Sequence, residues 1–159
     1  MILVLLGTFP IEFQRPLRAL HRLCSEGVIK EEVIVQNGHT PFVSDKLTLR
    51  PFIPQDDLLE LYDRASLIIT HAGTGSLIKG VKKGKKVIAI PRLVKLGEHI
   101  DDHQLEILNE FVQMEYVIPW NETDNLEDLL AASINFVPRP YVSKKQFIID
   151  YLANYIDKL

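Results

Sequence analysis

Short apolar segments alternate along the chain with longer segments in which apolar residues recur every three or four positions. The short segments are typical of strands buried on both faces of a parallel sheet, and the longer ones predict amphipathic helices. The predicted strands are Ile2–Leu6, Val33–Gln36, Leu47–Phe52, Leu67–Ile69, Val87–Ile90 and Val117–Ile118.

Helical patterns occupy most of the gaps between these strands. The first runs from Pro16 to near Gly27, and others begin at about Asp56, Gly75, Asp101 and Leu126. Strands that alternate with helices predict an α/β fold, a Rossmann-like, doubly wound parallel sheet of about six strands. We expect one domain, residues 1–159.

A last amphipathic helix is predicted over 143–159. We expect most of its apolar stripe to cover the sheet and the rest to offer a docking face. The stripe consists of Phe147, Ile148, Tyr151, Leu152, Tyr155, Ile156 and Leu159.

Composition narrows the class of protein. Apolar residues make up 47% and charged residues 25% of 159 residues, as in a soluble globular domain, and the net charge of −3 argues against nucleic-acid binding. The single cysteine, Cys24, excludes an internal disulfide and suits a reducing compartment. No stretch approaches the ~20 apolar residues of a membrane span, so we expect a cytoplasmic protein.

The segment from Ser66 to Ser76 reads as a strand, a Gly-rich turn and the first turn of a helix. Such a turn presents free backbone N–H groups to a phosphate. It lacks the lysine of a P-loop, and Ile78 stands where the dinucleotide fingerprint has its third glycine. A nucleotide other than ATP or NAD fits better, and a plain turn without a ligand is the alternative.

Small, polar or turn-forming residues follow the predicted strands, whereas the strand interiors are apolar. Ligands of parallel α/β sheets bind at the carboxyl ends of the strands, which is where these residues fall. The candidates are Gly7, Thr8, Gln36, Asn37, Gly38, His71, Ala72, Gly73, Pro91 and Arg92.

A second informative stretch runs from Glu98 to Glu106. On a helix beginning near Asp101, Asp102 and Glu106 share a face, with His103 and Gln104 beside them. Glu106 is suited to accept both hydroxyls of a ribose, and the other three to bind sugar hydroxyls. Two alternatives are a solvated helix start and a metal pair formed by His99 and His103, for which no further His/Cys cluster supplies a third ligand.

The lysine-rich segment 82–86 also allows two interpretations. Lysines at the end of a helix complement its dipole, which is the interpretation that we prefer. Contact with anionic lipid is the alternative.

The ordered set of these motifs resembles the C-terminal, donor-binding domain of GT-B glycosyltransferases of the family 28 type. It is most similar to the small catalytic subunits of split enzymes. These include the dolichol-pathway N-acetylglucosaminyltransferase subunit and bacterial capsule and exopolysaccharide subunits. The motifs that carry the likeness are Gly7-Thr8, Gln36-x-Gly38, His71-Ala72-Gly73-x-Gly75-Ser76, Pro91-Arg92 and Glu98-His99-x-x-Asp102-His103-Gln104-x-Glu106.

The resemblance implies an inverting transfer from a UDP-sugar, without a metal or other cofactor. Thr8 and the turn Gly73, Thr74, Gly75, Ser76 would hold the diphosphate, and Glu106 the ribose. The backbone near Phe52 and Ile53 would meet the uracil. His99 or Glu98 is the candidate base, unless the base comes from the opposite half of the enzyme.

The resemblance also implies partners. A membrane-anchored subunit would carry the acceptor-binding half and bring the chain to the inner face of the membrane, where the acceptor would be a polyprenyl-diphosphate-linked sugar. A homo-oligomer is possible. The alternative functions are a UDP-sugar-binding module without turnover and a non-catalytic interaction protein that keeps only the scaffold.

Overall fold

The computed structural model describes residues 1–143 and 145–156 of the chain. Six parallel strands form one sheet in the order β3-β2-β1-β4-β5-β6. Their bounds are β1 (Ile2–Leu5), β2 (Val33–Gln36), β3 (Thr48–Arg50), β4 (Leu67–His71), β5 (Val87–Ile90) and β6 (Ile118–Pro119). The predicted α/β fold is confirmed.

The described helices alternate with these strands, and a single 3-10 turn (Val94–Leu96) follows β5. Their bounds are α1 (Gln14–Ser25), α2 (Gln55–Arg64), α3 (Thr74–Lys82), α4 (His103–Gln113), α5 (Leu126–Asn135) and α6 (Lys145–Ile156).

Two apolar layers hold the sheet between helices. One face packs against α1 and α5, with Leu17, Leu20 and Leu126 buried. The other packs against α2, α3 and α4, with Leu61 and Leu77 buried. Because the strands are covered on both faces, their sequences are continuously apolar instead of alternating.

Several predicted bounds shift by one or more residues. The third strand is shorter than the predicted Leu47–Phe52, since Pro51 has no N–H to continue the ladder. The sixth strand is Ile118–Pro119 instead of Val117–Ile118. Helix α1 begins at Gln14, so that Pro16 lies in its first turn, where a missing N–H leaves no helical bond unmade.

The prediction that the last helix covers the sheet is wrong for the residues that the structure describes. Ile148, Leu152 and Ile156 on α6 are 53%, 51% and 64% exposed. Both apolar layers are already closed by earlier parts of the chain. The predicted apolar stripe also includes residues 147, 151 and 155, whose side chains are outside the described part of the structure, and Leu159, which is outside it entirely.

The lysines after α3 bind the ends of two other helices. Lys85 Nζ donates to the carbonyls of Asp63 and Ala65 at the end of α2, at 2.7 and 3.0 Å. Lys86 Nζ donates to the carbonyls of Ser133 and Ile134 at the end of α5. A positive charge at a helix C-terminus is favourable, which supports the helix-dipole interpretation of this segment.

Candidate functional site

The strand order reverses its direction of growth between β1 and β4. In parallel α/β sheets this switch point opens a crevice at the carboxyl ends of the strands, where ligands bind. The loop after β1 carries Gly7 and Thr8, and the loop after β4 leads through Gly73 into α3. Two Gly-containing turns therefore lie at the crevice.

Three glycines and one histidine pack against each other at this point. A Cβ atom on Gly7 would lie 2.8 Å from His71 Nε2, and one on Gly73 would lie 2.8 Å from His71 Cδ2. A Cβ on Gly38 would overlap the carbonyl oxygen of Gly7. Gly7 and Gly38 also have φ angles of +78° and +55°, which favour glycine. Only glycine fits these positions while the ring of His71 stays in place.

His71 is fixed as a neutral ring. Its Nδ1 lies 3.2 Å from the carbonyl oxygen of Leu5, and because a carbonyl only accepts, Nδ1 carries the proton. Burial lowers the pKa of His71 to about 4, and the positive charge of Arg92 adds to this effect against the raising influence of the Leu5 carbonyl. Neighbouring Ala72 is fully buried, so it offers no side chain to a ligand.

Helix α3 begins without a side-chain cap at Gly73. The first helical bond runs from Leu77 N to the Gly73 carbonyl, which leaves the N–H groups of Thr74, Gly75 and Ser76 without a partner among residues 1–143 and 145–156. Thr74 and Gly75 are exposed, and a Cβ on Gly75 would meet nothing within 4 Å. The start of this helix is therefore an open group of N–H donors at its positive end.

The crevice continues along the ends of β2 and β3. Gln36 Oε1 accepts from Ile53 N at 3.0 Å, which ties the loop before α2 to the end of β2. Asn37 is buried and donates through Nδ2 to the Thr40 carbonyl. Phe52 is 55% exposed and packs edge-to-face on His39. The predicted residues Gln36, Ile53 and Phe52 thus lie at one end of the crevice.

Three successive backbone N–H groups after β5 each donate a hydrogen bond to a different side chain. Arg92 N donates to Gln104 Oε1, Leu93 N to Glu98 Oε2 and Val94 N to Asp102 Oδ1, all at 3.0 Å. The structure gives these three polar side chains a role in holding the β5–α4 connection. Direct contact of Asp102 and Gln104 with a sugar stays a prediction, and the bonded oxygens are not free for it.

An ion pair anchors the same loop to α1. Arg15 binds both oxygens of Glu98, with Nε–Oε1 at 3.0 Å and Nη2–Oε2 at 2.9 Å, and it also donates to the carbonyl of Pro91. A carboxylate that is buried and paired in this way is suited to a structural role. This geometry favours His99 over Glu98 as the candidate base.

Arg92 faces the interior instead of the crevice. Its guanidinium is 1% exposed and donates to the carbonyls of Leu6, Ile11 and Glu98. It also lies over the ring of Phe13, with 4.7 Å between Cζ and the ring centroid. Burial lowers its pKa to about 10, against the opposite effect of Glu98. Arg92 therefore supports the crevice from behind, by joining the loops after β1 and β5.

His103 and Glu106 are the exposed members of the α4 start. The side chains are 67% and 78% exposed, and His103 Nδ1 lies 3.0 Å from Glu106 Oε2. Helix α4 begins at His103, two residues later than the predicted start near Asp101, and Asp102 is its N-cap residue. Glu106 is thus open to a ligand at the crevice.

Three contributing residues carried no signal in the sequence. Arg15 lies in α1, far along the chain from Glu98. Phe9 stacks on His99, with 4.3 Å between ring centroids. The hydroxyl of Tyr62 donates to the carbonyl of Ser76 in the first turn of α3, and burial raises its pKa to about 12. Each contact joins distant segments, so local spacing does not reveal it.

Within residues 1–143 and 145–156, no three His, Cys, Asp or Glu side chains lie together in a group that could hold a metal ion. In the same part of the chain, no helix has the length and apolar character needed to cross a bilayer.

The family model described as the glycosyltransferase family 28 C-terminal domain matches residues 14–158. Among curated proteins, the chain is 32% identical over 80 residues to UDP-N-acetylglucosamine transferase subunit ALG13 of Yarrowia lipolytica, covering 50% of this chain and 39% of that protein. It is 35% identical over 71 residues to the Homo sapiens subunit of the same name, covering 44% and 6%. The chain spans less than half the length of these relatives.

Solved structures share the fold at low sequence identity. An NMR structure of ALG13 has a TM-score of 0.56 at 19% identity and covers 92% of both chains. The glycotransferase of kitacinnamycin has a TM-score of 0.62 at 15% identity, over 85% of this chain and 34% of that one. MurG of Acinetobacter baumannii has a TM-score of 0.53 at 18% identity, over 83% and 41%.

Proposed function

The chain belongs to the family of glycosyltransferase family 28 C-terminal domains, and from this membership we propose that it is the donor-binding, catalytic subunit of an inverting glycosyltransferase that uses a UDP-sugar. The observation that carries the proposal is the uncapped start of α3 at the switch point of the sheet. Family membership supports the class of reaction, and the open N–H groups support the proposal that the diphosphate binds at this turn.

In this proposal the diphosphate lies on the N–H groups of Thr74, Gly75 and Ser76. A helix N-terminus favours an anion through its partial positive charge and its free donors. The ring of His71 holds Gly7 and Gly73 on either side, so that the two loops keep a fixed separation. Thr8, which is exposed in the loop after β1, is the second proposed contact of the phosphates.

The uridine and the transferred sugar are assigned to the residues that flank this turn. We assign the ribose to Glu106, whose carboxylate is exposed, and the uracil to the backbone of Phe52 and Ile53. Ile53 N already donates to Gln36 and is therefore not available to the uracil. The carbonyl oxygens of this segment are the backbone atoms that can accept a hydrogen bond from the uracil N–H. The exposed His103 is the member of the α4 start that can reach a sugar hydroxyl.

The reaction itself forms one bond and breaks one. An acceptor hydroxyl oxygen attacks the anomeric carbon while the bond from that carbon to the β-phosphate oxygen breaks, and UDP leaves with the electron pair. Donors that point at the departing phosphate stabilise the charge that grows there, which lowers the barrier more than it strengthens substrate binding. In this proposal the helix-end N–H groups take the place of a metal ion.

The same proposal includes a separate, membrane-anchored subunit. The crevice needs a second wall, and two of the solved glycosyltransferases with this fold are more than twice as long as the part that this chain matches. Two relatives are themselves described as transferase subunits. The exposed apolar residues Ile148, Leu152 and Ile156 of α6 offer a docking face for that subunit.

The acceptor and the cellular role are the finer parts of the proposal. We propose a polyprenyl-diphosphate-linked sugar as acceptor and a role in capsule or exopolysaccharide synthesis at the inner face of the membrane. The partner would present this lipid to the crevice.

Calorimetric titration with UDP and a panel of UDP-sugars tests donor binding. We expect Glu106→Ala to weaken UDP binding by about tenfold to a hundredfold, because hydrogen bonds to a charged group contribute about 1.5–3 kcal/mol. Glu110→Ala is the matched control, since this glutamate lies on the exposed surface of the same helix. Equal affinities for the two variants would remove Glu106 from the ribose site.

Turnover is measured on the complex with its partner subunit. Release of UDP from the donor in the presence of a polyprenyl-diphosphate-linked sugar acceptor supports a transferase. Tight donor binding without UDP release, with or without the partner, would contradict catalysis and favour a binding module. Absence of UDP binding to the wild-type chain would contradict the whole proposal.

A further inference from the structure

The imidazole of His99 is held in one orientation. Its ring stacks on Phe9, with 4.3 Å between the centroids and 25° between the planes, and its side chain is 15% exposed. Phe9 directly follows Thr8, the residue proposed to contact the phosphates. His99 therefore lies against the loop that borders the reacting end of the donor.

Three atoms of Asp101 lie close to one nitrogen of this ring. His99 Nδ1 lies 3.1 Å from Asp101 Oδ1, 3.2 Å from the Asp101 carbonyl oxygen and 3.3 Å from Asp101 N. The two nearest atoms are acceptors, and only the most distant one is a donor. This arrangement favours a proton on Nδ1, which leaves Nε2 with its lone pair.

The carboxylate of Asp101 is itself fixed. Its Oδ1 accepts from His103 N at 3.1 Å, at the start of α4. The neighbouring Asp102 is committed to Val94 N, so it does not compete for His99. No described residue forms a hydrogen bond with His99 Nε2.

We propose that Asp101 is a positioning residue that holds His99 in the tautomer whose Nε2 accepts the proton of the acceptor hydroxyl. The inference deepens the proposed function and rests on it for the identity of the reaction. As the hydroxyl oxygen bonds to the anomeric carbon and UDP departs, the hydroxyl proton passes to Nε2. The Asp101 carboxylate then faces the imidazolium that results.

The tautomer is measurable without any substrate. In protein labelled with ¹⁵N-histidine at about pH 8.5, where ordinary imidazoles are neutral, two-bond ¹H–¹⁵N correlations identify the protonated nitrogen. The signals of His99 are those lost in His99→Gln. We expect Nδ1–H in the wild-type chain and a shift towards Nε2–H in Asp101→Asn, whose amide can donate to Nδ1. Asp128→Asn, on the exposed side of α5, is the control and should leave the tautomer unchanged.

Kinetics of the complex with its partner give the second measurement. Loss of a general base lowers kcat by about 10²–10⁴-fold, which is the effect expected for His99→Gln. For Asp101→Asn we expect kcat to fall by at least about tenfold, but by less than the ~10⁴-fold known for a buried triad carboxylate, because Asp101 is 54% exposed. KM and the affinity for UDP-sugars should stay within about twofold, and Asp101→Glu should recover part of the rate.

The outcomes separate this inference from the proposed function. Nε2–H on His99 in the wild-type chain, or an unchanged tautomer in Asp101→Asn, overturns the positioning role whatever the activity. Full kcat in His99→Gln overturns the assignment of the base. An inactive wild-type complex that binds no UDP-sugar overturns the proposed function, while the tautomer measurement still decides whether Asp101 orients His99.

Discussion

Replacement of Gly73 by alanine tests the packing at the centre of the crevice. The backbone of Gly73, with φ −86° and ψ 134°, is open to any residue, so the new side chain causes no backbone strain. Its Cβ would lie 2.8 Å from His71 Cδ2 and 3.0 Å from His71 Cε1. The first distance is more than half an ångström short of the 3.4 Å at which ordinary contact begins. The perturbation is therefore a collision with one ring.

The magnitude follows from how firmly the ring is held. His71 is bonded to the carbonyl of Leu5 and packed against Gly7, so it cannot move without disturbing the loop after β1. Overpacking of this kind costs about 2 kcal/mol, which lowers Tm by about 4–8 °C in a domain of this size. The displaced loops should also weaken UDP binding.

The assay is thermal unfolding of Gly73→Ala beside Gly75→Ala, with a double-mutant cycle through His71→Ala. Alanine at 75 meets nothing within 4 Å in the first turn of α3, so it should leave Tm unchanged or raise it, by up to about 1 kcal/mol in stability. Removing the ring should abolish most of the cost of Gly73→Ala. Equal Tm values for the two alanine variants, or a full cost without the ring, would refute the reasoning.

Two further predictions concern stability. Because burial holds the pKa of His71 at about 4, below its ordinary 6.5, the folded chain binds fewer protons than the unfolded chain between these values, and stability is lost as the pH falls from 6.5 to 4. Asparagine does not titrate, so in urea unfolding the free energy of unfolding of His71→Asn should fall by about 3 kcal/mol less than that of the wild-type chain over this pH range. The same pH dependence in both proteins would contradict the assignment. Lys86→Met, which removes two bonds to the end of α5, should lower the free energy of unfolding by about 1 kcal/mol in the same assay. Lys30→Met, at an exposed lysine, is its control, and an equal loss there would show that the bonds are not responsible.

Most of the fold follows from the sequence, because short apolar runs such as Val87–Ile90 are typical of strands that are buried on both faces of a parallel sheet. The alternation of these runs with helical patterns fixes a doubly wound sheet, and the structure has that sheet. The bounds are less predictable. At Leu47 and Phe52 the apolar pattern continues beyond the hydrogen-bonded ladder, since side-chain burial and strand pairing do not end at the same residue.

The roles of the polar residues are less predictable than their location. The sequence placed Arg92 after the fifth strand, and Glu98, Asp102 and Gln104 on the following loop and helix start, and the structure has them there. The sequence does not reveal that these side chains bind backbone groups, because each partner lies in a loop whose course depends on the whole fold. A polar side chain that follows a strand can face a ligand or hold a loop, and the same residue types serve both purposes.

This division has a consequence for the stretch from Glu98 to Glu106. Gln104, Glu98 and Asp102 fix the successive N–H groups of residues 92–94, and Arg15 anchors Glu98 to α1. The loop that carries His99 is thus held at both ends before any ligand binds. The base and the ribose ligand proposed for His99 and Glu106 would need such support, since small displacements of a reacting group reduce the rate strongly. In the proposed function, the side chains that bind these backbone groups hold His99 and Glu106 in place, which gives a structural reason for the many polar positions in a motif of nine residues.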